Sequence, residues 1–250
     1  MAIRRCPGQD RRFWGPDAAV EAPCPYCERA LEFWKDEPAR RCPGCGRTVA
    51  NPKFDAGCAA WCRYAEACLG TGPAAAGVRG LVDALVREVR AHFGEDRRRF
   101  EHALAVLDHA DAILEAEGGD PLVVRAAALL HNIGLREAER KHGSAAPRHQ
   151  MEEGPSIARA LLERLGVPAE QIDHVCRIVG AHHLPEGVPS PEFRIVWDAD
   201  RIANIPEECA GLDAEAARHR LERLCRTPTG RRLALEALDR FLAERGAPEG

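Results

Sequence analysis

Two pairs of cysteines, Cys24-Pro-Tyr-Cys27 and Cys42-Pro-Gly-Cys45, carry the clearest chemical signal in this chain. Each Cys-x2-Cys knuckle turns two thiolates toward one point, and the 14 residues between the knuckles let them close on one tetrahedral zinc. Four thiolates leave no open coordination position, so the zinc is expected to be structural rather than catalytic. Between the knuckles Leu31-Glu-Phe-Trp-Lys35 alternates like a short strand, which gives a zinc-ribbon-like unit over about residues 22–48. Four further cysteines, Cys6, Cys58, Cys62 and Cys68, lie in the same part of the chain. Cys58 and Cys62 share a face if their segment is helical, and the set is expected to hold a second zinc. An iron–sulfur cluster and free buried thiols are the alternatives.

The second signal is a set of histidines. His102 lies in Phe-Glu-His-Ala-Leu, His131 closes the apolar run Ala-Ala-Leu-Leu-His131-Asn132, and His182-His183 follow Val-Gly-Ala. Asp200 lies in Trp-Asp-Ala-Asp200-Arg-Ile-Ala-Asn204. Together they place imidazoles at helix ends and one carboxylate on a later helix, the way a helical bundle assembles a metal site in its core. The solvated or capping role is expected for His92, His142, His174 and His219. Cys176, Cys209 and Cys225, scattered singly, are expected to be core cysteines.

The elements that must position these groups follow from composition and period. The chain has 250 residues, 35 Lys and Arg against 39 Asp and Glu, and a net charge of -4, so no basic field draws it to nucleic acid. No apolar run long enough for a membrane span is present, and none follows the N-terminal charges as in a secretory signal. A cytoplasmic protein is expected, and there 11 cysteines, eight of them in the first 68 residues, point to metal rather than disulfides. Residues 1–72 read as a cysteine-rich module, 73–80 as a linker of small residues, and 81–250 as an all-helical domain. Leu81, Leu85, Val89 and Phe93 mark one amphipathic helix over 78–93. Asp96 caps a helix to about Glu117, and Asp120-Pro121 opens another toward Gly134. Gly154-Pro155 lies near the start of the next, Pro168 opens one running to the His182-His183 pair, and helices over 192–204, 214–225 and 231–245 complete the domain.

Residues 97–205 resemble the HD-domain superfamily of metal-dependent phosphohydrolases, in the Phe-Glu-His102 lead-in, the Ala-Ala-Leu-Leu-His131 helix and the Asp-Ala-Asp200-Arg-Ile segment. The resemblance implies an all-α HD helical bundle in which His102, His131, Asn132 and Asp200 hold a divalent ion (Mn, Fe, Mg or Zn). His182 and His183 are the candidates for a second ion, and Asn204 for contact with substrate. His109 falls on a packing position. Two departures stand out. Asn132 replaces the aspartate of the His-Asp pair and supplies no negative charge, and Gln150 stands where binuclear relatives place a histidine, with His149 one residue away.

The implied chemistry is metal-assisted attack of water on phosphorus, with Asp200 and Asn204 at the reacting centre and Asp198 or Glu137 as proton carriers. Arg140, Lys141 and Arg148 are candidates to grip a substrate phosphate. The expected function is a metal-dependent phosphohydrolase acting on a nucleotide or other small phosphoester, with a metal site weakened at Asn132. The alternative is a non-catalytic ligand-binding sensor or regulatory protein that keeps the pocket and signals through the cysteine module, where a protein partner would dock.

Overall fold

In this computed structural model the described residues are 18–54, 62, 65–69 and 73–246. The chain divides into two units, Met1–Arg87 and Glu88–Gly250. Cys6 and Cys58 lie outside the described residues, as does the side chain of Cys68, so of the second cysteine set only Cys62 is described, in no disulfide among the described residues.

The first unit contains two antiparallel hairpins. β1 (Ala19–Pro23) pairs with β2 (Ala30–Trp34), Val20 opposite Phe33 and Ala22 opposite Leu31, and β3 (Ala39–Arg41) pairs with β4 (Thr48–Ala50). The alternation seen in the sequence holds in β2, where Leu31 and Phe33 are buried and Ala30, Glu32 and Trp34 are exposed. Leu31 and Phe33 meet Cys24, Cys42 and Val49 in a small core. Five buried side chains are too few to stabilise such a fold alone, so cross-linking by metal is the physical complement to this core.

A short helix α1 (Ala65–Leu69) precedes α2 (Pro73–Phe93). The segment 73–80, expected as a linker, forms the first turns of α2. Its alanines are strong helix formers, and the proline stands at the helix start, where its missing N–H costs nothing. The division between units accordingly falls inside α2, after Arg87, and not near residue 72. Asp83 of α2 explains this. Its buried carboxylate accepts from the Tyr26 hydroxyl at 2.6 Å and the Ala50 amide at 2.7 Å, tying the helix to both hairpins. Burial raises the pKa of Asp83 although both hydrogen bonds favour its charge.

The second unit is helical: α3 (Arg97–Glu117), α4 (Pro121–Leu130), α5 (Leu135–His142), α6 (Pro147–Arg164), α7 (Ala169–Val179), α8 (Pro191–Ala203), α9 (Ile205–Glu208), α10 (Ala214–Leu224) and α11 (Pro228–Gly246). The expected caps are present: Asp96 accepts from the Arg99 amide, and Asp120 accepts from the amides of Leu122 and Val123. α4 lies at the centre, packed against α3, α7 and α8. It is apolar on every side because nearly every side is covered; only Pro121 and Arg125 are not buried. No described helix is long and apolar enough to cross a membrane.

The segment 135–142, which lies between the helices read from the sequence, is itself a helix, and α6 begins at Pro147, seven residues before the Gly154-Pro155 pair read as lying near its start. The glycine answers a packing need. A Cβ on Gly154 would lie 2.7 Å from Val179 Cγ1, and one on Gly134 would lie 2.7 Å from the Gly154 amide nitrogen and against the Gln150 carbonyl. Backbone touches backbone here, fixing the turn after His131 against α6. Gly134→Ala is therefore expected to lower stability in urea denaturation by about 1–3 kcal/mol through overpacking, and to weaken metal binding at His131 in the same preparation.

Candidate functional site

In the first unit the hairpins bring four sulfurs together. Cys24 and Cys27 sit in the turn between β1 and β2, Cys42 and Cys45 in the turn between β3 and β4. The two turns are built alike. Cys24 N–H donates to Arg29 O and Glu28 N–H to Cys24 O, while Cys42 N–H donates to Arg47 O and Gly46 N–H to Cys42 O. The fifth residue of each turn, Glu28 and Gly46, has positive φ (63° and 75°). Cys24 Sγ lies 3.7 Å from Cys45 Sγ, and Cys27 Sγ lies 3.6 Å from Cys42 Sγ. A tetrahedron with metal–sulfur bonds of about 2.3 Å has edges of about 3.8 Å, so the spacing fits a bound zinc. Burial works against the Cys42 thiolate, yet the Cys45 and Gly44 amides that face it lower its pKa to about 7. These four cysteines could hold a metal ion.

In the second unit three helices deliver the other cluster. His102 comes from α3, Asp200 from α8, and His131 is the C-cap of α4. His102 Nε2 is 3.3 Å from His131 Nε2 and 3.2 Å from Asp200 Oδ1, and His131 Nε2 is 3.4 Å from the same oxygen. Metal–ligand bonds of about 2.1 Å separate neighbouring donors by about 3.0 Å in an octahedron and about 3.4 Å in a tetrahedron. The observed spacing falls in that range. The tautomer is also set, because His131 Nδ1 donates to Ala128 O at 2.8 Å and leaves Nε2 with its lone pair turned inward. Two nitrogens and an oxygen around one point are a donor set for a divalent ion.

Asp200 is held as the anion. Burial opposes its charge, but hydrogen bonds to His102 and His131 and the positive charge of Arg201 keep its carboxyl well below the usual range. Asn204 Nδ2 donates to Oδ1 at 2.8 Å, and Arg201 pairs with Oδ2 at 3.3 Å. Asn204 thus reaches the cluster through Asp200. Asn132 Nδ2 lies 2.7 Å from His131 Nε2, occupying the lone pair that a cation would take. His182 Nδ1 donates to Val179 O at 2.7 Å, and its buried Nε2 has no partner; the ring stands edge-on to His131 with centroids 5.5 Å apart. His183 Nε2 faces Gln150 Oε1 at 3.4 Å. His182 and His183 lie beside the three-donor cluster and are not part of it.

A cavity of about 560 Å³ opens over the cluster, lined by polar groups that include His102, Asn132, His183, Asp200 and Asn204. The arginines that line it are Arg98 and Arg99. Arg140, Lys141 and Arg148, expected to grip phosphate, are not among its walls. Arg140 pairs with Glu137 at 2.6 Å, Lys141 with Glu153 at 2.7 Å, and Arg148 donates to His149 Nε2 at 3.2 Å. The expected proton carriers are elsewhere too. Asp198 is fully buried and accepts from the Arg226 amide and from Thr227, fastening the start of α11. Glu137 lies on the surface, where its hydrogen bond to Arg140 lowers its pKa to about 2. The signal for Arg98 and Arg99 was in the sequence: Arg97-Arg98-Arg99 stands one helical turn before His102. His92 also holds the site, its Nε2 meeting Ile133 O at 3.0 Å behind the His131–Gly134 turn.

Residues 99–205 match the family model of the HD domain. Three solved structures share the similarity. A predicted HD-superfamily hydrolase from an uncultured Thermotogales bacterium is 28% identical over 67% of this chain and 92% of its own, with a TM-score of 0.46. An HD-superfamily hydrolase from Bacillus thuringiensis is 20% identical over 67% and 96%, with a TM-score of 0.48. Bacillus subtilis YpgQ, solved in complex with ADP, is 22% identical over 69% and 98%, with a TM-score of 0.46. A comparison with curated proteins gives no match.

Two outcomes are expected. Cys42→Ser should remove one zinc per chain by elemental analysis and leave the helical circular dichroism of residues 88–250 intact, because metal supplies the folding energy of small modules of this kind. Asn204→Ala should weaken divalent-metal binding at the His102–His131–Asp200 cluster by roughly 10–100-fold in calorimetric titration, the size of effect seen when a ligand loses its orienting hydrogen bond.

Proposed function

We propose that this protein is a metal-dependent phosphohydrolase acting on a small phosphoester, a nucleotide among them, with one divalent ion at His102, His131 and Asp200. The observation that carries the reading is the convergence of His102 Nε2, His131 Nε2 and Asp200 Oδ1 at 3.2–3.4 Å under an open cavity in an HD domain. A divalent ion held there supplies Lewis acidity toward a phosphoryl oxygen and acidifies a water for attack on phosphorus.

The chain's own groups do the rest. Asn204 and Arg201 fix the two oxygens of Asp200, so that Oδ1 faces the imidazoles and Oδ2 faces away. Arg98 and Arg99 set two guanidinium groups in the cavity wall, where a phosphate's charge is matched. Both are already partnered: Arg98 with Glu207 at 3.2 Å, Arg99 with Glu139 at 2.5 Å and Asp96 at 3.1 Å. A substrate phosphate exchanges for one of these carboxylates. Asn132 tempers the site. To join the donors its amide turns over, presenting Oδ1 and releasing His131 Nε2, and even then it adds no charge.

The test is metal binding and turnover measured together. Stripped protein reloaded with Mn2+, Fe2+, Mg2+ or Zn2+ should hydrolyse members of a phosphoester panel, and His131→Ala should lose both the ion and the activity. Asn132→Asp adds one negative charge at coordinating distance and should tighten the ion severalfold. Metal binding and substrate binding without turnover in wild type and Asn132→Asp would replace this reading with the ligand-binding sensor, and no metal binding at all would end it.

A further inference from the structure

We propose that His142, His149 and Glu152 form a separate cation site on the α5–α6 corner, suited to a borderline divalent transition metal such as Zn2+, Ni2+ or Cu2+. The site shares no residue with the HD cluster and does not rest on the phosphohydrolase reading. His142 is the last residue of α5, and His149 is the third of α6. The six residues between them fold the chain back so that the rings stack, centroids 4.0 Å apart and planes within 10°. Glu152, one helical turn beyond His149, brings a carboxylate to the same place, and one ligand atom from each residue lies within 4.8 Å of the others.

The unusual group is His149. Its Nδ1 is buried and has no hydrogen-bond partner among the described residues, with Glu152 Oε2 at 3.9 Å. That gap is too long for a hydrogen bond and wider than the spacing of neighbouring donors on one ion, so the exposed Glu152 side chain must swing inward to complete the site. Two imidazoles and a carboxylate are intermediate-to-hard ligands that favour the later first-row divalent ions over Ca2+ or Mg2+.

The surrounding charges set the strength of the site. Glu153 lies next to it, bonded to His142 Nε2 at 3.1 Å and to Lys141 at 2.7 Å. Arg148 opposes it, donating to His149 Nε2 at 3.2 Å. An ion at Nδ1 needs the proton on Nε2, so Arg148, which is exposed, must leave that nitrogen for solvent. Removing Arg148 should therefore strengthen the site, which a purely structural histidine stack would not do.

The experiment uses the full chain carrying His131→Ala, with zinc already in the cysteine unit, titrated with Zn2+. The ring 15N signals of His142 and His149 should shift together and saturate at one further equivalent. His149→Ala or His142→Gln should weaken that equivalent at least about tenfold, and Arg148→Ala should tighten it severalfold. His142 is the more exposed of the two rings, so its variant keeps the test open should His149→Ala fail to fold. Ring signals that do not move at one equivalent, or the same zinc affinity in the His142 and His149 variants as in the parent, would overturn the proposal.

Discussion

Two imidazole nitrogens and a carboxylate oxygen turn toward one point 3.2–3.4 Å apart inside the protein, a spacing that calls for a proton or a cation between them. The helical domain is organised around holding it. The Ala128 carbonyl fixes one ring, Asn204 and Arg201 fix the carboxylate, and the Gly134–Gly154 backbone contact fixes the turn that carries His131. A buried carboxylate without such partners costs several kcal/mol. Here the cost is met by groups drawn from the last turn of α8 itself and from an imidazole pair, so the anion stays charged while nearly inaccessible to water.

The hairpin unit obeys the same logic at a smaller scale. Its two turns repeat one backbone pattern, the fifth residue of each in the left-handed region, and each sulfur pair at tetrahedral spacing takes one cysteine from either turn. Gly46 takes that conformation without strain. Glu28 takes it against its Cβ, at a site where the hydrogen bond to the Cys24 carbonyl over-determines the chain.

Much of this was legible in the sequence because it rests on local rules. Knuckle spacing, the Asp96 and Asp120 caps, the period of α2 and the apolar run of α4 each follow from a few neighbouring residues. The match to the HD domain was legible from the order of His102, His131 and Asp200. What was not legible depends on contacts between distant residues. Gly154-Pro155 looks like a helix start, and only the closeness of Val179 and Gly134 shows why a glycine lies inside α6. Arg140 and Lys141 look like phosphate ligands until Glu137 and Glu153 are seen to hold them, and Asp198 looks like a proton carrier until Thr227 is found on it. The Ala-rich start of α2 reads as a hinge by composition, yet Asp83 gives that helix a place in the hairpin unit.

The ends of the helices around the cavity carry a further consequence. α4 ends at Leu130 with His131 as its cap, and α7 ends three residues before His182, so two helix C-termini bring their partial negative charge toward the donor cluster. α3 instead begins at the opposite wall, with Arg98 and Arg99 in its first turn. The floor of the cavity is thus electron-rich, while at its rim the two guanidinium groups stand paired with carboxylates that an anion must displace. An anionic guest arriving first is repelled from the floor and waits at the rim, whereas a cation arriving first reverses the sign of the floor. On the reading proposed above, electrostatics favours seating the cation before the anion descends.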